Sequence, residues 1–250
     1  MEKNNIILGL DVSTQCIGCC LLLDDDSEYG KILELTHIVP KVPNKSDNHI
    51  KDLFFKNEIF KNDFLMKLKD MNITQVVIEE PLISSKNSFT VSTLLRFNGM
   101  ISESVYNILN VVPDYISSHD AREYSFPKLM AIRRFGKDGK KYPRKKIINN
   151  IKDGNLVLFG EYPWDTDKKS VLQQNVSEIF PDIPWIYNKK GELKKENFDA
   201  SDAYVACYGQ LNRQRHGELD FKISNIVEDD EKVSFDVSYW DKTDTKTIYF

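Results

Sequence analysis

The order of the short apolar runs constrains the fold of this chain more than any other feature of its sequence. Three runs near the N-terminus, residues 6–11, 17–23 and 31–38, are separated by turn-forming residues, which predicts an antiparallel meander of three strands. A helical apolar period over residues 47–71 then leads into a fourth strand at residues 75–80. A meander followed by βα units predicts an α/β fold, a mixed sheet with helices on its faces.

The remaining segments extend this pattern. A fifth strand is predicted at residues 111–117, and further helices are predicted at residues 90–109, 143–151, 165–180 and 198–210. After Arg215 apolar and polar residues alternate, which predicts strands at residues 221–227, 232–240 and 245–250. We therefore expect one domain over residues 1–212, with a basic insertion at about 127–163, and a small C-terminal β appendage over residues 213–250.

Composition and cysteine usage exclude several classes of protein. The 250 residues, 41% of them hydrophobic, are enough to bury one sizeable core. No apolar run approaches the roughly 20 residues that a membrane span needs, and no signal-peptide pattern opens the sequence. Three of the four cysteines fall within residues 16–20, which is not a disulfide framework. We expect a cytoplasmic protein without a membrane partner.

The charge is unevenly distributed, although the net charge is only −4. Between Arg122 and Lys146 there are ten Lys or Arg residues and two acids, Glu123 and Asp138. Such a segment is typical of a phosphate-binding face, and equally of a solvated loop or helix surface. The sequence leaves both interpretations open.

Acidic residues occupy positions where the predicted elements can bring them together. Asp11 ends the first strand, and Glu79 and Glu80 end the fourth. Because side chains alternate along a strand, only one of this pair can share a face with Asp11. Asp199 and Asp202 are three apart on a helix and can point from one face. Clustered carboxylates require compensation, which hard divalent cations provide, and two ions about 3.5–4 Å apart can promote phosphodiester hydrolysis.

Several stretches form a recognisable set of motifs: Ile-Leu-Gly-Leu-Asp at 7–11 with Gly18, Val-Ile-Glu-Glu-Pro-Leu at 77–82, Ser-Lys-Asn at 85–87, Arg-Phe-Asn-Gly at 96–99, the lysine-bearing segment 168–176, and Asp-Ala-Ser-Asp-Ala-Tyr at 199–204. Together they resemble the RuvC-type Holliday-junction resolvases of the RNase H-like superfamily. The resemblance spans residues 5 to 212 approximately and is interrupted at about 127–163.

This resemblance implies an RNase H-like fold, with a mixed five-stranded sheet and helices on both faces. It implies a structure-selective endonuclease that resolves branched DNA in recombination and repair, using two Mg²⁺ ions, for which Mn²⁺ can substitute. The implied metal-binding catalytic acids are Asp11, Glu79, Asp199 and Asp202. Glu79 is preferred to Glu80 because the family places this acid directly after an aliphatic strand residue.

Further residues and partners follow from the same resemblance. Lys169, or its neighbour Lys168, is expected near the scissile phosphate, where it would stabilise developing charge. The family acts as a homodimer, so the helix from Thr90 is the expected dimer surface, and insertion-bearing members often come from bacteriophages, which act in the bacterial cytoplasm. Leu82 stands where the family carries an aromatic, with Phe89 further on. The expected DNA contacts are Lys86 and Lys168 in the matched stretches, and Arg144, Lys145 and Lys146 in the basic segment, which has no counterpart in the family.

Two other functions remain open at this stage. Residues 9–15 also resemble the first phosphate motif of actin-like sugar kinases, although no second glycine-rich phosphate segment follows and such enzymes are about twice as long. A non-catalytic nucleic-acid-binding module of the same fold is the other alternative, although all four acids are present. Cys16 and Cys19 are interpreted as small buried residues, and His119 as a polar residue at a helix start.

Overall fold

The computed structural model describes residues 5–43, 46–81, 87–159, 168–194 and 197–250. The chain divides into two compact units. The first takes in Met1–Ala121 and Lys169–Leu211, and the second takes in Arg122–Lys168 and Asn212–Phe250. No described helix is long and apolar enough to cross a membrane.

A mixed five-stranded sheet forms the centre of the first unit. Its strands are β1 (Asn5–Val12), β2 (Ile17–Asp24), β3 (Lys31–Ile38), β4 (Ile73–Glu79) and β5 (Asp114–Ile116). The spatial order is β3-β2-β1-β4-β5. The first three strands form the antiparallel meander, whereas β4 runs parallel to β1 and to β5. The predicted mixed five-stranded sheet is confirmed.

Six helices are described, and their bounds are α1 (His49–Asp63), α2 (Ser88–Leu109), α3 (Ser118–Ser125), α4 (Arg144–Lys152), α5 (Lys168–Ile179) and α6 (Phe198–His216). The single helix expected over residues 47–71 is wrong, because α1 ends at Asp63 and a 3₁₀ turn follows at Leu65–Leu68. This tighter turn places Leu65 and Leu68, three residues apart, on the same buried side. Helix α6 also runs six residues further than expected.

Helices cover both faces of the sheet, and the residues of β1 alternate between them. Leu8 and Leu10 belong to a core shared with Phe60 of α1 and Phe97 of α2. On the opposite face, the Cys207 thiol of α6 donates to the carbonyl oxygens of Ile7 and Cys20, 3.6 Å away in each case. The sheet is therefore sandwiched between α1 and α2 on one side and α6 on the other.

The second unit joins the basic insertion to the C-terminal strands through one core. Strands β8 (Lys222–Glu228), β9 (Lys232–Tyr239) and β10 (Lys242–Tyr249) form an antiparallel sheet, and β6 (Met130–Ile132) pairs with β7 (Leu156–Leu158). Ile132, Ile147 and Ile151 of the insertion pack with buried residues of the sheet, namely Val233, Phe235, Val237 and Ile248. A three-stranded sheet needs such a partner to bury its apolar face. The C-terminal strands are thus packed on the insertion.

Candidate active site

The register of β1 and β4 determines which acids share a face of the sheet. Leu10 of β1 pairs with Ile78 of β4, and both side chains lie in the core beneath α1 and α2. The next residues, Asp11 and Glu79, therefore point to the opposite face, on which α6 packs. Glu80 is exposed after the end of β4, and its backbone N–H donates to the carbonyl oxygen of Ile116 at 2.8 Å. The alternation favours Glu79 as the partner of Asp11.

The first turn of α6 lies against the strands at the level of Asp11. Gly18 pairs with Asp11 across β1 and β2, and a Cβ atom at Gly18 would overlap the carbonyl oxygen of Asp199 and lie 2.9 Å from the nitrogen of Ala200. The absence of a side chain at Gly18 therefore lets the helix start approach this closely. Asp202 follows one turn later and is buried.

Lys169 of α5 interacts with three of the four predicted acids. Its ammonium nitrogen lies 2.7 Å from Asp202 Oδ2, with the lysine side chain 45% exposed and the aspartate side chain 2% exposed. Burial acts to lower the pKa of Lys169, but the charge and hydrogen bond of Asp202, and then the charges of Asp11 and Glu79, raise it overall. These carboxylates converge on one cation that remains partly open to solvent.

Cys16 connects the fourth acid to the same group. The turn between β1 and β2 is closed by Ser13, whose hydroxyl accepts from the backbone N–H of Cys16 at 3.0 Å and donates to its carbonyl oxygen at 2.9 Å. Burial raises the pKa of the Cys16 thiol, as do its hydrogen bond to Asp199 and the charges of Asp199 and Asp11. The sequence alone indicated a small buried residue here, so this contact with Asp199 was missed.

The four acids fit a hard divalent cation by their chemistry, since all offer oxygen ligands. Three of them, Asp202, Asp11 and Glu79, raise the pKa of Lys169, so the arrangement favours a nearby cation. Within the described residues, a different group has its potential ligand atoms within 4.8 Å of one another. It consists of His119, Asp120 and Glu123, on the surface of α3. Exposed neighbours at helical spacing are common without a metal, and we assign no site to them.

The predicted DNA contacts fall in three places. Lys86 lies outside the described residues, as does Leu82, and Lys168 is exposed at the first residue of α5. Lys145 and Lys146 are exposed in the first turn of α4. Arg144 behaves differently from these lysines, because its guanidinium donates to the backbone carbonyls of Asp229 and Asp230. It also lies 4.9 Å from the centre of the Phe250 ring.

Comparison with solved structures identifies proteins of similar fold. RuvC of Thermus thermophilus in complex with Holliday junction substrate is 8% identical, with a TM-score of 0.48 over 85% of this chain and 96% of that chain. A second Thermus thermophilus RuvC structure is 11% identical, with a TM-score of 0.45 over the same shares. The yeast mitochondrial Holliday junction resolvase Ydc2 is 12% identical, with a TM-score of 0.47 over 85% of this chain and 80% of that chain.

No protein-family model and no curated protein matches the sequence. A Ppx/GppA-family protein of Aquifex aeolicus is also similar; it is 9% identical, with a TM-score of 0.35 over 84% of this chain and 90% of that chain.

Proposed function

We propose that the protein is a metal-dependent endonuclease that cuts phosphodiester bonds in branched DNA, including Holliday junctions. The observation that carries this proposal is the convergence of Asp202, Asp11 and Glu79 on the ammonium of Lys169. Carboxylates that share a site repel one another when ionised, and bound cations offset this repulsion. Such an arrangement is typical of a site that binds metal ions and a phosphate together.

Asp11, Glu79, Asp199 and Asp202 would hold the metal, and we expect two Mg²⁺ ions, with Mn²⁺ able to substitute. When bound, the metal supplies neutralising charge to the phosphate and an activated water. Cys16 keeps its proton near neutral pH and donates it in a hydrogen bond to Asp199, which orients that carboxylate. Asp202 is buried, and the packing around it restricts the rotation of its carboxylate.

Lys169 would act on the phosphate directly. Its raised pKa keeps the ammonium charged at neutral pH, and its half-exposed side chain can reach a substrate at the surface. From its position beside Asp202, the ammonium would donate to a phosphate oxygen and stabilise the charge that develops as the phosphodiester bond breaks.

Helix α2 would form the dimer surface. Leu95 and Tyr106 of this helix are 47% and 50% exposed, so a second copy of the chain could cover them. Gly99 lies between them on the same side of the helix, and a Cβ atom there would contact nothing within 4 Å. A homodimer through this face would cut two strands of a junction symmetrically. Origin in a bacteriophage and action in the bacterial cytoplasm stay predictions.

Incubation of the purified protein with labelled junction, fork, duplex and single-stranded DNA in Mg²⁺ tests the proposal, with ATP hydrolysis measured in parallel. We expect paired symmetric nicks on the junction, loss of cleavage in EDTA, and recovery with Mg²⁺ or Mn²⁺. Asp11→Asn should abolish cleavage and leave DNA binding intact or stronger, because it removes a metal ligand and a negative charge. ATP turnover without nicking would support the kinase-like alternative, and binding without either activity would support the non-catalytic one.

A further inference from the structure

A lysine-bearing hairpin, residues 134–142, lies within the second unit. Its arms are joined by hydrogen bonds from the backbone N–H of Tyr142 to Arg134 and from Gly136 to Lys140, at 2.7 and 2.9 Å. Gly139 provides the positive φ that the tip requires, and Asp138 accepts from the backbone N–H of Lys140. This tight tip exposes three cations, Lys137, Lys140 and Lys141.

Helix α4 follows the hairpin directly and carries further exposed lysines. Ile147 and Ile151 are buried in the core of the second unit, so the opposite side of the helix faces solvent. Lys145 and Lys146 are exposed in the first turn, and the ammonium of Lys146 lies 6.0 Å from the centre of the Tyr142 ring. We define the lysine surface as Lys137, Lys140, Lys141, Lys145 and Lys146; the acid within residues 137–146 is Asp138.

Two of these lysines, Lys145 and Lys146, lie in the first turn of α4, where they do not stabilise the helix. The first turn of α4 contains no acid, and Pro143 at its N-cap provides no side-chain hydrogen bond. Cations at the positive end of a helix cost about 0.3–1 kcal/mol each. Arg144 offsets this cost through its contacts with Asp229, Asp230 and Phe250, whereas Lys145 is exposed. An anion bound by the exposed lysines would offset this cost for them; Lys140 also lies 3.8 Å from Asp138.

We propose that the lysine surface binds the sugar-phosphate backbone of double-stranded DNA without sequence preference. The proposal rests on the proposed function in one respect, that the duplex would be an arm of the branched substrate. Five lysines within ten residues give a dense positive charge on flexible stems, which suits a regular row of phosphates. Tyr142 is half-buried and packs against the core, so stacking on an unpaired base is not favoured.

The test compares two triple variants of equal charge in the full-length protein. The hairpin variant replaces Lys137, Lys140 and Lys141 with alanine. The comparison variant replaces three exposed lysines of the first unit with alanine, namely Lys51, Lys67 and Lys69. Binding to a labelled duplex is measured across a salt series with EDTA present, so that no strand is cut. The affinity of the wild type for the duplex should fall as salt rises from 50 to 200 mM. If the hairpin variant has lost three phosphate contacts, the factor by which its affinity falls should be about fortyfold smaller than that of the wild type. The variant of the first unit should keep the wild-type factor.

The proposal is overturned if the wild-type protein does not bind duplex DNA, if the hairpin variant keeps the wild-type salt dependence, or if both variants change it equally. Thermal unfolding of each variant checks that the fold is kept, which is expected because the three hairpin lysines are exposed. Arg144→Ala provides a second comparison, since it should lower the unfolding temperature with little effect on the salt dependence. A change in salt dependence without any nicking by the wild type would contradict the nuclease and leave the lysine surface supported.

Discussion

The ammonium nitrogen of Lys169 lies 2.7 Å from a carboxylate oxygen of Asp202, although the two residues are 33 positions apart on different helices. Asp202 is almost fully buried, so its charge requires a nearby cation. Lys169 meets this requirement and also experiences the charges of Asp11 and Glu79. The pair thus couples the stability of the α5–α6 contact to the chemistry proposed for the site.

Replacement of Lys169 by methionine should lower both stability and cleavage. Loss of one partner of a fully buried pair costs about 3–5 kcal/mol, and because Lys169 is half-exposed we expect about 1–3 kcal/mol. Chemical unfolding in metal-free buffer measures this loss. Mg²⁺ should raise the unfolding temperature more in Lys169→Met than in the wild type, because the metal then supplies the missing charge. Lys168→Met is the matched control, and equal stability of the two variants would contradict the assignment.

Glu79→Gln and Glu80→Gln should separate the two adjacent acids. Glu79 shares a face with Asp11, whereas Glu80 is exposed after the end of the strand. Mutation of a residue that only hydrogen-bonds to a metal ligand typically lowers activity about 10–100-fold. Loss of a ligand itself should cost more, so Glu79→Gln should reduce the nicking rate by at least about a hundredfold. Glu80→Gln should leave the rate within a few-fold of the wild type. The reverse order of effects, measured on the same junction, would place the ligand at Glu80.

Gly18→Ala should displace the start of α6. The added methyl group would overlap the backbone of Asp199, which the helix must move to accommodate. We expect a loss of stability of about 1–3 kcal/mol, as for other overpacked sites, and a reduced nicking rate because Asp199 and Asp202 move with the helix. Gly99→Ala is the control for stability, because its methyl group meets nothing within 4 Å and alanine favours a helix. Wild-type stability and activity in Gly18→Ala would contradict the described packing.

The stability of the second unit should depend on pH through Glu218. The hydroxyl of Tyr124 donates to Glu218 at 2.6 Å, and this bond, followed by that from Arg213, lowers the pKa of the carboxyl. A lowered pKa stabilises the fold above the ordinary value of 4.5, and this stabilisation is lost as the pH falls through the folded-state pKa. The unfolding temperature of Glu218→Gln should therefore fall less steeply on acidification than that of the wild type. Glu228→Gln removes an exposed acid of the same unit and should retain the wild-type slope.

Most of the sheet could be predicted because short apolar runs and turn residues are local signals. Residues a few positions apart predict the meander of β1, β2 and β3 and the βα units that follow. The break after Asp63 could not be predicted, because the helical apolar period continues through Leu68 and only packing in the core turns the chain there. The shared core of the insertion and the C-terminal strands was equally inaccessible, since Ile147 and Phe235 are 88 positions apart.

The candidate site shows the same division between local and tertiary information. The sequence by itself determined which acids are available, because Asp11, Glu79, Asp199 and Asp202 occupy the ends of predicted elements in the order of a known family. The tertiary structure decided how they are arranged. Strand register separates Glu79 from Glu80, the close approach at Gly18 positions α6, and burial of Asp202 draws Lys169 to it. These relationships depend on distances between segments remote in sequence, which no local pattern encodes.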